Sequence, residues 1–221
     1  MKILAISVHP DDETLGCGGT LLKHQSKGDE VFWLNLTEVT QELGYSDEYI
    51  KSREKQIKIV ISEYQFREYF DLKLPTTKIH TIDFGELMLK ISAVIQKIQP
   101  EIVYMVNRSD IHTDHAISSR AIISATKSFR NPFIKRILMY EVVSETEIAP
   151  PLPENLFIPN VYSDISDFLE RKIAIMKIYK SEVQAPPLPR SIENIRALAT
   201  YRGATVSVRY AEAFMLIKDL F

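Results

Sequence analysis

The chain has 221 residues, 45% of them hydrophobic and 25% charged, which suits one α/β domain over residues 1–221 and is tight for two. A net charge of −2 gives no basic surface for nucleic acid or an anionic membrane, and the apolar runs are strand-length, too short to span a bilayer. The single cysteine, Cys17, excludes an internal disulfide, and Met1-Lys2 leads into an apolar strand with no signal-peptide pattern, so the expected location is a reducing cytoplasm.

Residues 2–8, Lys-Ile-Leu-Ala-Ile-Ser-Val, predict a buried first strand. It runs into His9-Pro10-Asp11-Asp12-Glu13, and Gly16, Gly18 and Gly19 follow, letting the turn and the first helical turn pass close to a sheet or a ligand. Residues 20–24 read as helical and Gly28 as the residue that ends that helix. Residues 30–37 predict the second strand, and 38–47 a polar loop with a short helical turn. Residues 48–62 predict an amphipathic helix with Ile50, Ile57 and Ile61 among its apolar positions.

A third strand is expected over 68–72, a helix over 84–99 stopped by Pro100, and a fourth strand over 101–106. The fourth strand runs into a second polar cluster ending in His112-Thr113-Asp114-His115, from which a helix is expected over 113–129. Residues 136–143 predict a fifth strand. This alternation argues for a parallel sheet with helices on both faces. Beyond it the chain changes character: proline-rich loops near 150–153 and 185–189, an edge strand over 157–162, helices over 167–182 and 191–201, and a closing segment over 210–221 of no clear type.

In an open parallel sheet, ligands bind outside the carboxyl ends of the strands where the strand order reverses. Strands one and four flank that point in the common winding, and both polar clusters directly follow them. One imidazole and three carboxylates within five residues are costly to bury without a cation. A catalytic zinc takes three N or O ligands and keeps one position open, a requirement that His9, Asp12 and His115 meet. Asp11 then stands beside the metal as candidate general base. His112 faces a developing oxyanion or protonates a leaving amine as an imidazolium, and Asp114 or Asp110 holds His112 or His115 in the required tautomer. The competing reading makes Asp11, Asp12 and Asp114 mere helix N-terminal acids, but does not explain why both clusters end candidate central strands. His24 and His80 read as surface or loop residues, and Cys17 as a small packed one. Trp33, Tyr45 or Tyr201 is a candidate wall for a sugar ring.

Val8-His9-Pro10-Asp11-Asp12-Glu13 with Gly16 and Gly18-Gly19 resembles the opening motif of the PIG-L (LmbE-like) deacetylases, and His112-Thr113-Asp114-His115 their second motif. Arg202-Gly203 through Tyr210-Ala211-Glu212-Ala213-Phe214 resembles their C-terminus. The resemblance implies a Rossmann-like three-layer α/β sandwich with a mostly parallel sheet, here followed by a helical and loop-rich C-terminal extension. It implies zinc on His9, Asp12 and His115, Asp11 as base, His112 as oxyanion stabiliser, and removal of acetate from an N-acetylated amino sugar of the N-acetylglucosamine type. It places Arg53 at a substrate-contacting position and leaves room for a homo-oligomer. The sequence departs from the pattern at Thr113, where proline is common, at Gln56, where an Arg-x-x-Glu pair is usual, and at residues 64–66. Another amide, such as an acylated antibiotic or a lipid-linked amine, is the alternative substrate. A degenerate sugar-binding domain conflicts with retention of all five site residues, and a dinucleotide oxidoreductase with the missing G-x-G-x-x-G.

Overall fold

A computed structural model describes residues 1–221. One seven-stranded sheet takes strands from both ends of the chain, in the order β3-β2-β1-β4-β5-β7-β6. Strands β1 (Lys2–Ser7), β2 (Glu30–Glu38), β3 (Glu68–Pro75), β4 (Ile102–Val106) and β5 (Arg136–Tyr140) are mutually parallel. β1 and β4 are neighbours, with Ile3 opposite Ile102 and Ala5 opposite Tyr104, so the strand order reverses between them. Apart from Lys2 and Ser7 at the ends of β1 both are apolar, and they are buried at almost every position, as expected of strands covered on two faces.

The C-terminal third departs from the expectation of helices and loops. The segment that resisted assignment is β7 (Ala211–Asp219), antiparallel to β5, and it carries β6 (Val161–Asp164) on its outer edge. β7 escapes a periodicity test because it buries a carboxylate. Glu212 accepts from the backbone N–H groups of Gly19 and Thr20 and from Lys172 Nζ at 2.7 Å, which satisfies the charge inside the fold.

The helices are α1 (Asp12–Ser26), α2 (Asp47–Glu63), α3 (Phe84–Ile98), α4 (Thr113–Ala125), α5 (Leu169–Met176) and α6 (Ile192–Thr205). α1 begins at the acidic cluster itself, so Gly16, Gly18 and Gly19 lie inside the helix rather than before it. The reason is close approach: a Cβ on Gly16 would stand 2.0 Å from the Tyr140 ring, and one on Gly18 would stand 2.3 Å from Tyr64 Oη. α4 stops at Ala125 rather than 129, because Asn131 Nδ2 caps the Ala125 carbonyl at 2.8 Å. α5 stops at Met176 rather than 182, and the chain then turns so that Glu182 faces the carboxyl end of the sheet. No helix is long and apolar enough to cross a membrane.

Candidate active site

The turn after β1 is shaped by its own acids. Asp12 Oδ2 accepts from the Val8 and His9 backbone N–H groups at 2.9 and 2.8 Å, folding the carboxylate back under the strand end. Thr37 ties the same turn to β2 by donating its hydroxyl to Val8 O at 2.7 Å. Asp11 sits at φ 138°, a left-handed backbone that non-glycine residues rarely adopt. The buried Glu13 carboxylate holds it there by accepting the Asp11 N–H at 3.1 Å, and Tyr179 Oη and Thr14 Oγ1 donate to Glu13 in turn.

The turn after β4 supplies the other half. His115 Nε2 lies 3.3 Å from Asp12 Oδ2 and 3.1 Å from His9 Nδ1, although 106 residues separate the two histidines. Each imidazole is fixed by a carboxylate behind it. Asp110 Oδ2 lies 2.9 Å from His115 Nδ1, and Asp114 Oδ2 lies 3.3 Å from His9 Nε2. Protons held on those outer nitrogens leave His115 Nε2 and His9 Nδ1 as lone-pair donors facing one point. Asp114 therefore serves His9 across the site, not His112 or His115 on its own helix, and it also accepts from the Thr77 and Ile79 backbone N–H groups.

His9, Asp12 and His115 form a group whose ligand atoms all lie within 4.8 Å of one another. Two imidazoles and one carboxylate are the donor set of a catalytic divalent site with an open position, and tetrahedral legs of roughly 2.0–2.1 Å would separate the donors by about 3.3 Å. Asp12 Oδ1 supplies an independent indication. It is buried and has no hydrogen-bond partner, a costly state for a carboxylate oxygen unless a cation lies against it. Burial opposes the ionised form of Asp12, yet His115 and His9 hold its carboxyl well below the usual range. Burial likewise disfavours charge on His115, but Asp12 and Asp110 raise its pKa well above the ordinary value. A proton on His115 and a divalent cation are thus alternative ways to balance Asp12. A second trio, His9, His112 and Asp114, is also compact, but Asp114 is already engaged by two backbone N–H groups and His9.

Asp11 and His112 flank this centre on the wall of a cavity of about 670 Å³. Burial pushes the Asp11 carboxyl well above its ordinary range, and Arg190, in an ion pair at 3.0 Å, opposes that shift only in part. Arg190 occupies Asp11 Oδ2, and no protein donor occupies Oδ1. His112 caps α4, its Nδ1 accepting the Asp114 N–H at 3.1 Å. Burial lowers its pKa to about 4, with His9 and His115 adding to the effect. Burial thus favours the neutral ring where the sequence suggested an imidazolium, and with Nδ1 accepting, its N–H lies on Nε2.

The profile of the PIG-L family, GlcNAc-PI de-N-acetylase, matches residues 4–126. The chain belongs to this family. The matched span holds all three candidate ligands, Asp11 and His112. Across its whole length the chain is 28% identical to a diacetylchitobiose deacetylase of Thermococcus kodakarensis, covering 84% of that protein. It is 24% identical to a probable N-acetyl-alpha-D-glucosaminyl L-malate deacetylase 2 of Bacillus cereus, over 83% of this chain and 84% of the other. The fold is that of the conserved protein TT1542 from Thermus thermophilus, with a TM-score of 0.79, 26% identity, and 99% and 96% of the two chains covered.

Arg53 does reach the PIG-L cavity from α2, but its guanidinium is already engaged by Pro10 O, Tyr49 Oη and Glu182. Of the aromatic candidates only Tyr45 lines the cavity, stacked on Tyr49 at 5.2 Å. Trp33 is core, donating Nε1–H to Ser7, and Tyr201 is exposed away from the site. His24 is not a plain surface residue, since its ring bridges Asp29 and Tyr104 at 2.7 and 2.9 Å. Cys17 is buried. Sequence reasoning missed Arg190 and Glu182. The one signal is at Arg190, a charge set directly after the proline-rich loop; Glu182 closes an expected helix and carries none.

Proposed function

We propose that this chain is a zinc-dependent N-deacetylase that hydrolyses the acetamide of an N-acetylated amino sugar to acetate and a free amine. The observation that carries the reading is the convergence of His9, Asp12 and His115 on one point, with a carboxylate base and a neutral imidazole donor on the adjoining cavity wall. When bound by that trio, the metal supplies Lewis acidity, drawing the pKa of a water towards roughly 7 and polarising the acetamide carbonyl.

The chain's own residues do the rest. Asp11 takes the proton of the attacking water on Oδ1, while Arg190 keeps the other oxygen in place. The new C–O bond forms as the carbonyl π pair moves onto oxygen, and His112 Nε2–H donates to that oxyanion. Asp11 then delivers its proton to the nitrogen as the C–N bond breaks, releasing acetate and the amine. Asp110 and Asp114 act through His115 and His9 as positioning residues.

An amino sugar fits the cavity better than an acyl chain. Ile50, Ile57 and Ile61 line part of the wall, but Glu38, Asp71 and Lys73 share the cavity, which is therefore no apolar channel. The buried free thiol of Cys17 accords with a reducing cytoplasm. Elemental analysis of the purified protein, with acetate release followed on a panel of N-acetylated sugars, tests the reading. One equivalent of zinc with acetate from N-acetylglucosamine derivatives is expected. Zinc with no acetate from any sugar would remove the substrate class, and folded protein that takes up no zinc would remove the metal centre.

A further inference from the structure

Two guanidinium groups, those of Arg53 and Arg190, line the cavity, and in a pocket of this kind they would ordinarily recognise an anionic substituent. Here both donate to one residue, Glu182, and their remaining donors are largely taken by other groups. Glu182 Oε1 accepts from Arg53 Nη2, and Glu182 Oε2 accepts from Arg190 Nη1 at 2.9 Å. Arg53 Nη2 also donates to Tyr49 Oη at 3.0 Å. Arg190 Nη1 also donates to Asp11 at 3.0 Å, its Nε to Ser144 at 2.8 Å, and its Nη2 to Glu145 at 3.2 Å. With both Nη2 protons of Arg53 and both Nη1 protons of Arg190 taken, and Arg190 Nε bonded as well, neither group keeps a free pair of N–H donors along one edge. Beside the guanidiniums an incoming carboxylate or phosphate finds no fork to bind and meets the Glu182 and Asp11 carboxylates; the other cations of the cavity, Lys58 and Lys73, offer a point charge but no fork. Glu182 itself lines the cavity with 18% of its side chain exposed, within reach of a ligand there.

We infer that Glu182 is the specificity-determining residue of this site: by occupying both guanidiniums it reserves the pocket for an uncharged N-acetylated saccharide and bars one carrying a carboxylate or phosphate beside the acetamide. The inference deepens the deacetylase reading and rests on it for the identity of the saccharide. A neutral sugar hydroxyl can donate to Glu182 without displacing either arginine, whereas an anion must displace it or sit beside it.

A closely related pair tests this: N-acetylglucosaminyl L-malate and its dimethyl ester, which differ by two methyl groups and two negative charges. For the zinc-loaded wild-type enzyme, kcat/KM should favour the diester by roughly tenfold or more, the order expected of one uncompensated like charge at close range in a partly screened site. In Glu182→Gln that preference should shrink to less than about threefold. Equal or better use of the malate by the wild type overturns the inference, as does a preference that survives unchanged in Glu182→Gln. Should neither compound be hydrolysed, the deacetylase reading falls, while calorimetric Kd values for the same pair on zinc-loaded protein still decide the charge preference in the same two directions.

Discussion

Removing the Asp110 carboxylate isolates the contribution of the residues behind the metal ligands. Asp110 is buried, and its Oδ2 holds the His115 Nδ1 proton at 2.9 Å. Its Oδ1 accepts from Asn107 Nδ2 at 3.2 Å and Thr146 Oγ1 at 2.7 Å. In Asp110→Ala, His115 loses the partner that fixes its tautomer and ring angle, so part of each binding event must reorder the imidazole. Losses of this kind run to about 10–100-fold in metal affinity, or about 1.4–2.7 kcal/mol. Asp110→Asn should lose less. Its amide oxygen can still accept from His115, and Asn107, whose Oδ1 is buried and unpartnered, can turn its own amide to accept from the new Nδ2–H. Competition for zinc against a chromophoric chelator gives the Kd, with circular dichroism as the check on folding. Kd unchanged in a folded Asp110→Ala protein, or a larger loss in Asn than in Ala, would refute the tautomer argument.

Asp11→Asn should keep one equivalent of zinc and lose turnover by several orders of magnitude, a split visible by comparing metal content with acetate release; substantial remaining activity would transfer the base role elsewhere. His112→Ala should also keep its metal, with kcat down by roughly 10²–10³, the scale of one lost oxyanion donor. A metal-free His112→Ala protein would instead make that residue a ligand. Glu13 yields a stability prediction: burial pushes its pKa up to about 7 from an ordinary 4.5, despite three donors. The folded chain then keeps a proton that the unfolded chain has lost, so this group's contribution is full below pH 4.5 and declines as pH rises towards 7, by about 3 kcal/mol in all. Urea unfolding at pH 5 and pH 7 should show a smaller drop for Glu13→Gln than for wild type, and equal drops would mean Glu13 ionises at its ordinary pKa.

The parts of the fold written in local pattern were legible. β1 and β4 are apolar runs of strand length, and Ser191 caps α6 where that helix was expected to start. The pairing of His9 with His115 was legible through topology, because both follow strands expected at the switch point. What could not be read depends on tertiary partners. Residues 177–182 continue the apolar spacing of α5 through Ile178 and Tyr179, yet the chain leaves the helix, and Tyr179 Oη is committed to Glu13. Arg190 meets Asp11 across 179 residues, and Glu182 meets Arg53 across 129, separations at which no spacing rule operates. The Asp114–His9 contact defeats local reasoning in the same way, since proximity in sequence pointed to the histidines on either side of Asp114.

The balance of buried charge gives the most general reason to place a cation at this point. Five carboxylates crowd the ends of β1 and β4, and each of four has an answer within the protein. Asp114 has two backbone N–H groups and His9; Asp110 has His115, Asn107 and Thr146. Glu13 has Tyr179, Thr14 and the Asp11 N–H, and Asp11 has Arg190. Asp12 alone keeps a buried oxygen with no partner, beside two imidazole nitrogens whose opposite edges are held by acids. A purely structural cluster of helix-starting acids would have no reason to orient two histidines through Asp110 and Asp114 and leave the third member unsatisfied. His9, Asp12 and His115 would hold a divalent cation at that point, which would satisfy Asp12 and leave the four pairings around it in place.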